Sequence, residues 1–380
     1  MVIYAIGSVA AWGALTASEQ AYYTGGRFDD LASARAVMGW TMLDDVIMEL
    51  ISDITTTIPQ IMYTDCDIYS YVVQSRVNPD GNPNEGYFIY VAHNADGIRH
   101  TPNINTNHVG TFKDFKIKRT INTLVPNYLI GSGTNTAGTG NIDILLKNLL
   151  IDNNNLGEFG LRANITNTTG DFSFVVKNCK LWGHQVSGIN YATYNTSDPT
   201  KHPIIENCTI NNDLAVSIGI SNELALPAAE RYPLTVKNTV SHSASLGGAD
   251  WDVEDSTAPG AGYVNVTYCA DSDNSLAYGT NNTNNIVPAN EFWSLDDTND
   301  NFLFLKEGAV TADWTREPAG NVNVGDVIKF DPEVILTPGA LQLSSGGTIP
   351  TEGALDITGK AIPSKKDEYP IGCHVQEYST

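Results

Sequence analysis

A short phrase recurs at nearly constant spacing through the middle of the chain. Each copy places an asparagine among aliphatic residues, as in residues 176–181 (VKNCKL). The asparagine stands at positions 148, 178, 207 and 238, a nearly even step. A glycine beside an aliphatic residue follows most copies, which adds a second short strand to each period. This period predicts stacked repeats, in which equivalent positions lie one above another.

The repeats predict both a fold and a ladder of side chains. We expect an all-β chain, a single-stranded right-handed parallel β-helix with a short N-terminal helical cap and a C-terminal closing segment. Strands about 4.8 Å apart would let stacked amides hydrogen-bond along the axis. Cys179 and Cys208 occupy the repeat position of Leu149, so we expect them to pack as small apolar residues. The expected structural ladder is Asn148, Asn178, Asn207 and Asn238.

The charge balance argues against several classes of function. The 43 acidic and 21 basic residues give a formal net charge of −22, which repels phosphate backbones and anionic lipid headgroups. We therefore expect no nucleic acid and no membrane among the partners. The five cysteines contain no C-x-x-C pair, which indicates neither a disulfide framework nor a zinc cluster. The apolar residues 1–16 have no basic residue before Arg27, which favours a strand and a turn over a signal peptide.

Three segments follow from these patterns. Residues 1–60 are expected to form an N-terminal strand and helix cap, residues 61–285 the β-helix body, and residues 286–380 the closing segment. Residues 45–51 are compatible with a helix or a strand, and their β-branched side chains favour a strand.

One helix is indicated inside the first segment. Asp29 and Asp30 are typical N-cap residues, and Gly39 is a typical stop. The apolar face between them carries Leu31, Ala34 and Met38.

Motifs at the two ends of the chain resemble those of a known family. They are residues 23–31 (YTGGRFDDL), residues 299–309 (NDNFLFLKEGA), and residues 356–363 (DITGKAIP) followed by residues 369–378 (YPIGCHVQEY). In these motifs the chain resembles the right-handed parallel β-helix proteins encoded in bacteriophage genomes. The first is similar to the glycine, basic residue, aromatic residue and short helix with which such proteins start. The others are similar to the family phrases DFxLKxGS and DIxGxxRP…DIGAxEY. The resemblance implies the fold more strongly than an activity.

An acidic stretch is the best local candidate for chemistry. Many proteins with this fold act on polysaccharides through paired carboxylates. Asp250 and Asp252 would share one strand face, Trp251 could stack on a sugar ring, and Glu254 and Asp255 extend the charge. The alternative is an acidic, solvated loop, which we favour in a chain with 43 acidic residues.

Other chemistry finds less support. Lyase chemistry needs Arg or Lys beside carboxylates, and Arg162 and Arg231 do not lie on the repeat phrase. Residues 271–275 and 297–301 resemble calcium loops but lack the turn glycine and the distal glutamate. Three histidines in an Asn-rich stretch are expected in solvated turns: His93, His100 and His108. We therefore expect no catalytic residue set, no metal and no cofactor.

The function expected from the sequence is structural. We expect a component of a bacteriophage virion, located on the virion as a capsid decoration, head fibre or tail-associated protein, surface-exposed and with glycan binding left open. The expected partners are other virion proteins of the capsid or tail and, with glycan binding, a host-surface glycan; a homo-oligomer is left open. Enzymatic activity is left open but not favoured. The alternatives are a polysaccharide depolymerase of tailspike type, acting as a glycosidase or lyase, and a non-catalytic adhesin.

Overall fold

The structure is a computed structural model. It describes residues 1–39, 42–62, 68–77, 79, 82–100, 107–122, 127–134, 140–165, 172–193, 204–206, 208–212, 216–222, 234–237, 239–243, 251–255, 264–267, 269–271, 289, 292, 294–299, 302–303, 313–315 and 321–323.

Three helices lie near the start of the described chain, and strands make up most of the remainder. The helices are α1 (Val9–Ala14), α2 (Ala17–Tyr22) and α3 (Leu31–Met38). The strands are β1 (Val2–Ile6), β2 (Gly26–Phe28), β3 (Val46–Leu50), β4 (Ile54–Thr56), β5 (Gln60–Met62), β6 (Tyr71–Ser75), β7 (Phe88–Val91), β8 (Ile98–His100), β9 (His108–Lys113), β10 (Lys116–Arg119), β11 (Tyr128–Thr134), β12 (Ile142–Lys147), β13 (Leu150–Ile165), β14 (Phe172–Lys177), β15 (Lys180–Thr193), β16 (Ile204–Glu206), β17 (Thr209–Asn212), β18 (Val216–Asn222), β19 (Leu234–Lys237), β20 (Val240–Ser243), β21 (Trp251–Asp255), β22 (Val264–Thr267), β23 (Ala270–Asp271), β24 (Asp313–Thr315) and β25 (Asn321–Asn323).

Two large parallel sheets organise these strands. The ten-stranded sheet has the order β2-β1-β3-β6-β9-β12-β14-β16-β19-β22. The thirteen-stranded sheet has the path β23-β20-β17-β15-β13-β10-β7-β4, and β5, β8, β11, β18 and β21 branch from it. Strands β24 and β25 form a separate antiparallel pair. One cluster of buried apolar side chains draws on both large sheets, so the core lies between them.

The prediction of an all-β, single-stranded right-handed parallel β-helix is wrong. The structure is α/β-like, with two large parallel sheets, and helices join the first strands of the ten-stranded sheet: α1 and α2 connect β1 to β2, and α3 connects β2 to β3. The expected strand and turn over residues 1–16 holds only for β1, because alanine, the strongest helix former, dominates the residues that follow. Ser8 and Thr16 cap the two helices, and Thr16 forms a capping box with Glu19.

Two local predictions about the N-terminal segment are confirmed. The Asp30 carboxylate accepts a hydrogen bond of 2.7 Å from the backbone N–H of Ser33, and α3 buries Leu31 and Ala34 before Gly39 ends it with φ of 76°. Residues 46–50 form β3 rather than a longer helix. The division into three segments stays a prediction, since the motifs at 356–363 and 369–378 lie outside the described residues.

The repeat spacing is visible in how the strands pair. In the ten-stranded sheet, Lys147 pairs with Lys177, Lys177 with Glu206, and Glu206 with Lys237. Residues separated by one repeat therefore lie side by side on adjacent parallel strands. The same register builds buried columns in both sheets, among them Leu146, Val176, Ile205 and Val236 in one and Ile117, Ile151, Leu181 and Ile210 in the other.

The repeated asparagine marks the bend between the two sheets. Asp114, Asn148 and Asn178 have φ of 60°, 54° and 52°, a left-handed conformation that Asn and Asp adopt more readily than other side chains. The Asn178 amide donates to the Asn148 side-chain oxygen at 3.3 Å, and the Asn148 amide donates to Asp114 at 2.8 Å. The first two ladder members are thus joined directly, whereas Asn207 and Asn238 lie outside the described residues. The four-membered ladder stays a prediction.

A buried column of small side chains follows the bend, as the sequence predicts. Leu149, Cys179, Cys208 and Cys269 are fully buried, and Thr239 is buried with them. The backbone N–H of Thr209 donates to the Cys179 carbonyl and that of Val240 to the Cys208 carbonyl, each at 2.9 Å, which keeps the column in register. Burial raises the pKa of the Cys208 thiol, and a side-chain hydrogen bond with Cys179 adds to this effect. The Cys208 thiol therefore stays neutral and packs as an apolar group.

This column gives the first testable prediction. Replacing Cys179 by Asp should lower the free energy of unfolding by about 3 to 5 kcal/mol, because an unpaired carboxylate would lie in a fully buried site. Cys179→Thr is the matched control, since Thr239 already occupies the column, and it should cost less than about 1.5 kcal/mol. Chemical denaturation of the three proteins measures the difference. Equal midpoints for wild type and Cys179→Asp would place position 179 outside the core.

Candidate functional site

One register row of the thirteen-stranded sheet collects polar residues beside glycines. Its positions, from β8 through β11, β13, β15 and β18 to β21, are Arg99, Gly131, Arg162, Asn190, Gly219 and Asp252. The preceding residues on the first four strands are Ile98, Ile130, Leu161 and Ile189, all buried in the core. Because successive side chains point to opposite faces of a sheet, the first four row positions face away from the core. We call these six positions the arginine row.

Arg162 is held in place but lacks an acceptor. Its guanidinium carbon lies 5.1 Å from the centre of the Phe159 ring, within cation–π distance, and this contact orients the group. The Arg162 Nε is buried and has no hydrogen-bond partner within the described part of the chain. A buried donor without an acceptor costs free energy. Because Nε itself is buried, only the terminal nitrogens of this half-buried side chain can meet an acceptor from outside.

A second group lies beside Arg162 in the row. An Arg99 nitrogen is 4.0 Å from an Asp96 carboxylate oxygen, and the Tyr128 hydroxyl donates to the same carboxylate. Burial raises the pKa of Tyr128, and Asp96 adds to this effect. The Tyr128 ring lies over Gly131, where a Cβ would come within 2.5 Å of it, so the row needs glycine there. Glycine thus lets the Tyr128 ring lie over the row position between the two arginines.

A buried arginine supports this arrangement from inside. The Arg119 guanidinium donates to the carbonyls of His93 at 3.2 Å, Ala95 at 3.1 Å and Tyr128 at 3.2 Å, and to the Asn153 side chain at 3.0 Å. Burial lowers the pKa of Arg119 to about 10, which still leaves it charged at neutral pH. Arg119 therefore ties the 93–95 loop and the start of β11 together. It is a positioning residue whose donors are used, in contrast to Arg162.

The chemistry available to the row is anion binding. A guanidinium offers donors in a planar fork that matches a carboxylate, and charge-assisted hydrogen bonds of this kind are the strong ones. Arg162 lies over the Phe159 ring and makes no hydrogen bond or ion pair with the described residues, Arg99 is only loosely paired, and Asn190 lies on the next strand. The row can therefore hold a carboxylate and hydrogen-bond groups attached to it.

A second polar row lies on the same sheet four residues after the repeat asparagine. It pairs Tyr90, Lys118, Asp152, Trp182 and Asn211 across β7, β10, β13, β15 and β17. The Lys118 ammonium is 2.6 Å from an Asp152 carboxylate oxygen, and Asp152 is only 3% exposed on its side chain. Burial raises the pKa of Asp152, an effect that Lys118 opposes and Asp297 adds to. The pair is a partly desolvated structural ion pair.

A turn from later in the chain covers this second row. The turn comprises residues 294–299 and 302–303, and the Leu303 N–H donates to the Ser294 carbonyl at 2.9 Å to close it. The Trp182 indole N–H donates to Asp297 at 3.2 Å, and the buried Lys180 ammonium donates to the Phe302 carbonyl at 2.9 Å. Because Trp182 is 6% exposed, the second row is a docking surface for the chain itself rather than an open site.

The acidic candidate from the sequence falls at the end of the arginine row. Trp251, Asp252, Glu254 and Asp255 belong to β21, which pairs with β18, so these residues form a strand rather than the favoured loop. Asp252 follows Arg162 after Asn190 and Gly219, three strand steps away. Asp250 lies outside the described residues. Their role in binding or catalysis stays a prediction.

The three histidines expected in solvated turns are buried instead. His93 is 8% exposed, and His100 and His108 are nearly fully buried. The His100 ring contacts the Tyr71 hydroxyl and lies 5.4 Å from the His108 ring, centre to centre. Burial lowers the pKa of His100, and His108 adds to this effect. The prediction was wrong because burial here depends on the neighbouring strands and not on the polar residue types that surround each histidine in sequence.

A metal centre or a membrane span would need particular groups of residues. Among the described residues, no group of three or more His, Cys, Asp or Glu side chains is placed to hold a metal ion. No helix in this part of the chain combines the length and apolar character that a membrane span requires.

Comparison with known proteins gives no family for the chain. No protein-family model matches it, no curated protein matches it, and no solved structure matches it.

A buried lysine on the thirteen-stranded sheet yields a pH prediction. The Lys116 ammonium donates to the Pro83 carbonyl at 3.1 Å and lies 3.8 Å from the centre of the Phe88 ring. Burial lowers the pKa of Lys116 to about 8, from 10.5, although Asp53 and Glu85 oppose the change. Between these two values the unfolded chain binds more protons than the folded one, so Lys116 makes stability rise with pH; the contribution is complete above 10.5 and is lost as pH falls through about 8.

The measurement compares wild type with Lys116→Met. From pH 8 to 10.5 the free energy of unfolding of wild type should rise relative to the variant, by at most about 1.4 kcal/mol per pH unit. Below pH 7 the difference between them should stay constant. Parallel curves throughout the range would show that Lys116 titrates alike in the folded and unfolded chain. Lys147→Met, on the ten-stranded sheet, is the matched control.

Proposed function

We propose that the protein is a structural component of a bacteriophage virion, exposed on the particle as a capsid decoration, head fibre or tail-associated protein. The observation that carries this proposal is the ten-stranded parallel sheet, whose strands pair in register through the repeats. Nine steps of about 4.8 Å give the sheet a width of roughly 43 Å. Such a body suits a rigid, elongated element better than a flexible one.

Buried contacts between strands support a rigid scaffold. Columns of fully buried side chains cross the repeats, and lysines such as Lys180 are fixed to backbone carbonyls. Neighbouring repeats are therefore tied together both by backbone pairing and by packing. The net charge of −22 keeps such a body soluble and repels packaged nucleic acid, which suits an outer position.

The phage setting rests on the resemblance of the end motifs, at residues 23–31, 299–309, 356–363 and 369–378. Capsid or tail proteins are the proposed partners, together with a glycan of the host surface. A homo-oligomer is compatible with this proposal.

The experiment is a search for the chain in assembled particles. Mass spectrometry of gradient-purified particles of the encoding phage should find peptides of this chain at a fixed ratio to the major capsid protein. Antibody labelling in electron microscopy should then place it on the outside. A chain recovered only from the soluble fraction of the lysate, in the same gradients, would contradict a virion role. The major capsid protein serves as the internal control for recovery.

A polysaccharide depolymerase is the second candidate. The specific observation in its favour is that Asp252 lies in register with Arg162, which places a carboxyl residue and an arginine in one row. A glycosidase would need a second carboxylate at a suitable distance, for which Asp250, Glu254 and Asp255 are the nearest in sequence. An adhesin would bind glycan at this row without cleaving it.

We expect no turnover, and an assay over bacterial capsule and lipopolysaccharide glycans tests this. Reducing ends and unsaturated products should stay at the level of a heat-denatured sample, because the proposed role needs no bond cleavage. Turnover that is lost in Asp252→Asn, with unchanged thermal melting, would instead establish the depolymerase. Lys147→Gln provides the control for a surface change elsewhere.

A further inference from the structure

We propose that the arginine row binds a sugar residue that carries a carboxylate, with Arg162 as its main contact. The inference names the ligand class of an exposed surface, and it rests on the proposed function only for the source of that ligand, a host-surface glycan. The site itself follows from the contacts of Arg162, Arg99, Tyr128 and Asn190.

The first step is the state of Arg162 in an acidic chain. The protein has 43 acidic and 21 basic residues, so a surface arginine has many carboxylates to choose from. Arg162 nevertheless lies over the Phe159 ring as a half-buried side chain, and it forms no hydrogen bond or ion pair with the described part of the chain, so its terminal nitrogens are open to an external acceptor. An arginine that is oriented by an aromatic ring loses little further freedom when it binds, which favours an external anion.

The second step concerns the space around Arg162. Gly131 and Gly219 lie in the row on either side of Arg162 and Asn190, so no side chain rises from those two positions. Arg99 is two strand steps from Arg162, about 9.6 Å, with the Tyr128 ring between them. The Tyr128 ring covers Gly131, so a ligand at Arg162 extends the other way, toward Asn190 on the adjacent strand and Gly219 beyond it. Such spacing fits an anion with neutral, hydroxyl-rich neighbours.

The electrostatic field of the whole chain further restricts the ligand. A net charge of −22 disfavours ligands with dense negative charge, such as nucleic acid or a polyaspartate peptide. A glycan with one carboxylate among several neutral hydroxyl groups escapes most of this repulsion, yet still supplies the acceptor that Arg162 lacks. Charge and geometry therefore favour a glycan with no more than one carboxylate per sugar residue over more densely charged anions.

The experiment measures binding of the full chain to trigalacturonic acid by calorimetry, with its methyl ester as the matched ligand. The free acid should bind at least about tenfold more tightly than the ester, because only the acid offers charged acceptors. Arg162→Gln should remove this preference. Arg162→Lys keeps the charge but loses the fork and the stacking, and it should retain less than about a tenth of the affinity. Each variant must melt at the wild-type temperature before its affinity is compared. If Arg162→Gln melts earlier, Arg162→Lys alone provides the test.

Controls separate this site from general electrostatics. Lys147→Gln removes a positive charge from the ten-stranded sheet and should bind trigalacturonic acid within about twofold of wild type. Equal affinity for the acid and the ester, unchanged binding by Arg162→Gln, or tighter binding of hexa-aspartate or inorganic phosphate than of the uronate would each overturn the inference. So would a lack of measurable uronate binding. The binding measurements test the ligand of the arginine row, whereas mass spectrometry of particles tests the virion role. Either proposal can therefore fail without the other.

Discussion

In-register hydrogen bonding between parallel strands is the constraint on which the structure depends. Parallel neighbours need a long connection, and here each connection is about one repeat long. The register is strict because a slip by one residue would turn every buried side chain of a strand outward. The left-handed bend at Asn148 and Asn178 helps to hold it, since the bend fixes where the chain leaves one sheet and enters the other. Cores, columns and surface rows all follow from that single alignment.

A residue could be predicted from the sequence where it lies at a constant distance along the chain from the repeat asparagine. The bend at Asn148 and Asn178 and the packing of Cys179 lie within a few residues of the repeat phrase, so their neighbours were predictable. The second polar row lies at the same offset, four residues after Asp114, Asn148 and Asn178, and the same alignment would have found it. The fold class was misjudged because the repeats dominate the pattern, whereas α1 and α2 come from an Ala-rich stretch outside them.

The arginine row could not be found in this way. Arg162 and Asn190 are paired, yet Arg162 lies further along the chain from Asn148 than Asn190 lies from Asn178. The pairing of β13 with β15 shifts register between Asp152 and Phe159, where Asn154 and Asn155 have φ of 53° and 55°. Such irregularities depend on the neighbouring strand, so no single stretch of sequence specifies them. The burial of three cations of the thirteen-stranded sheet could not be predicted for a similar reason. The acceptors of Lys116, Arg119 and Lys180 include backbone carbonyls from loops that are distant in sequence.

The column that begins at Phe115 and continues through Leu149, Cys179 and Cys208 has a consequence for how such a chain changes over generations. Each inner member packs between the residue one repeat before it and the residue one repeat after it, so an increase in volume at one position must be met by a decrease at the next. Accepted substitutions in related chains would then be correlated between positions one repeat apart, rather than between neighbours in the sequence.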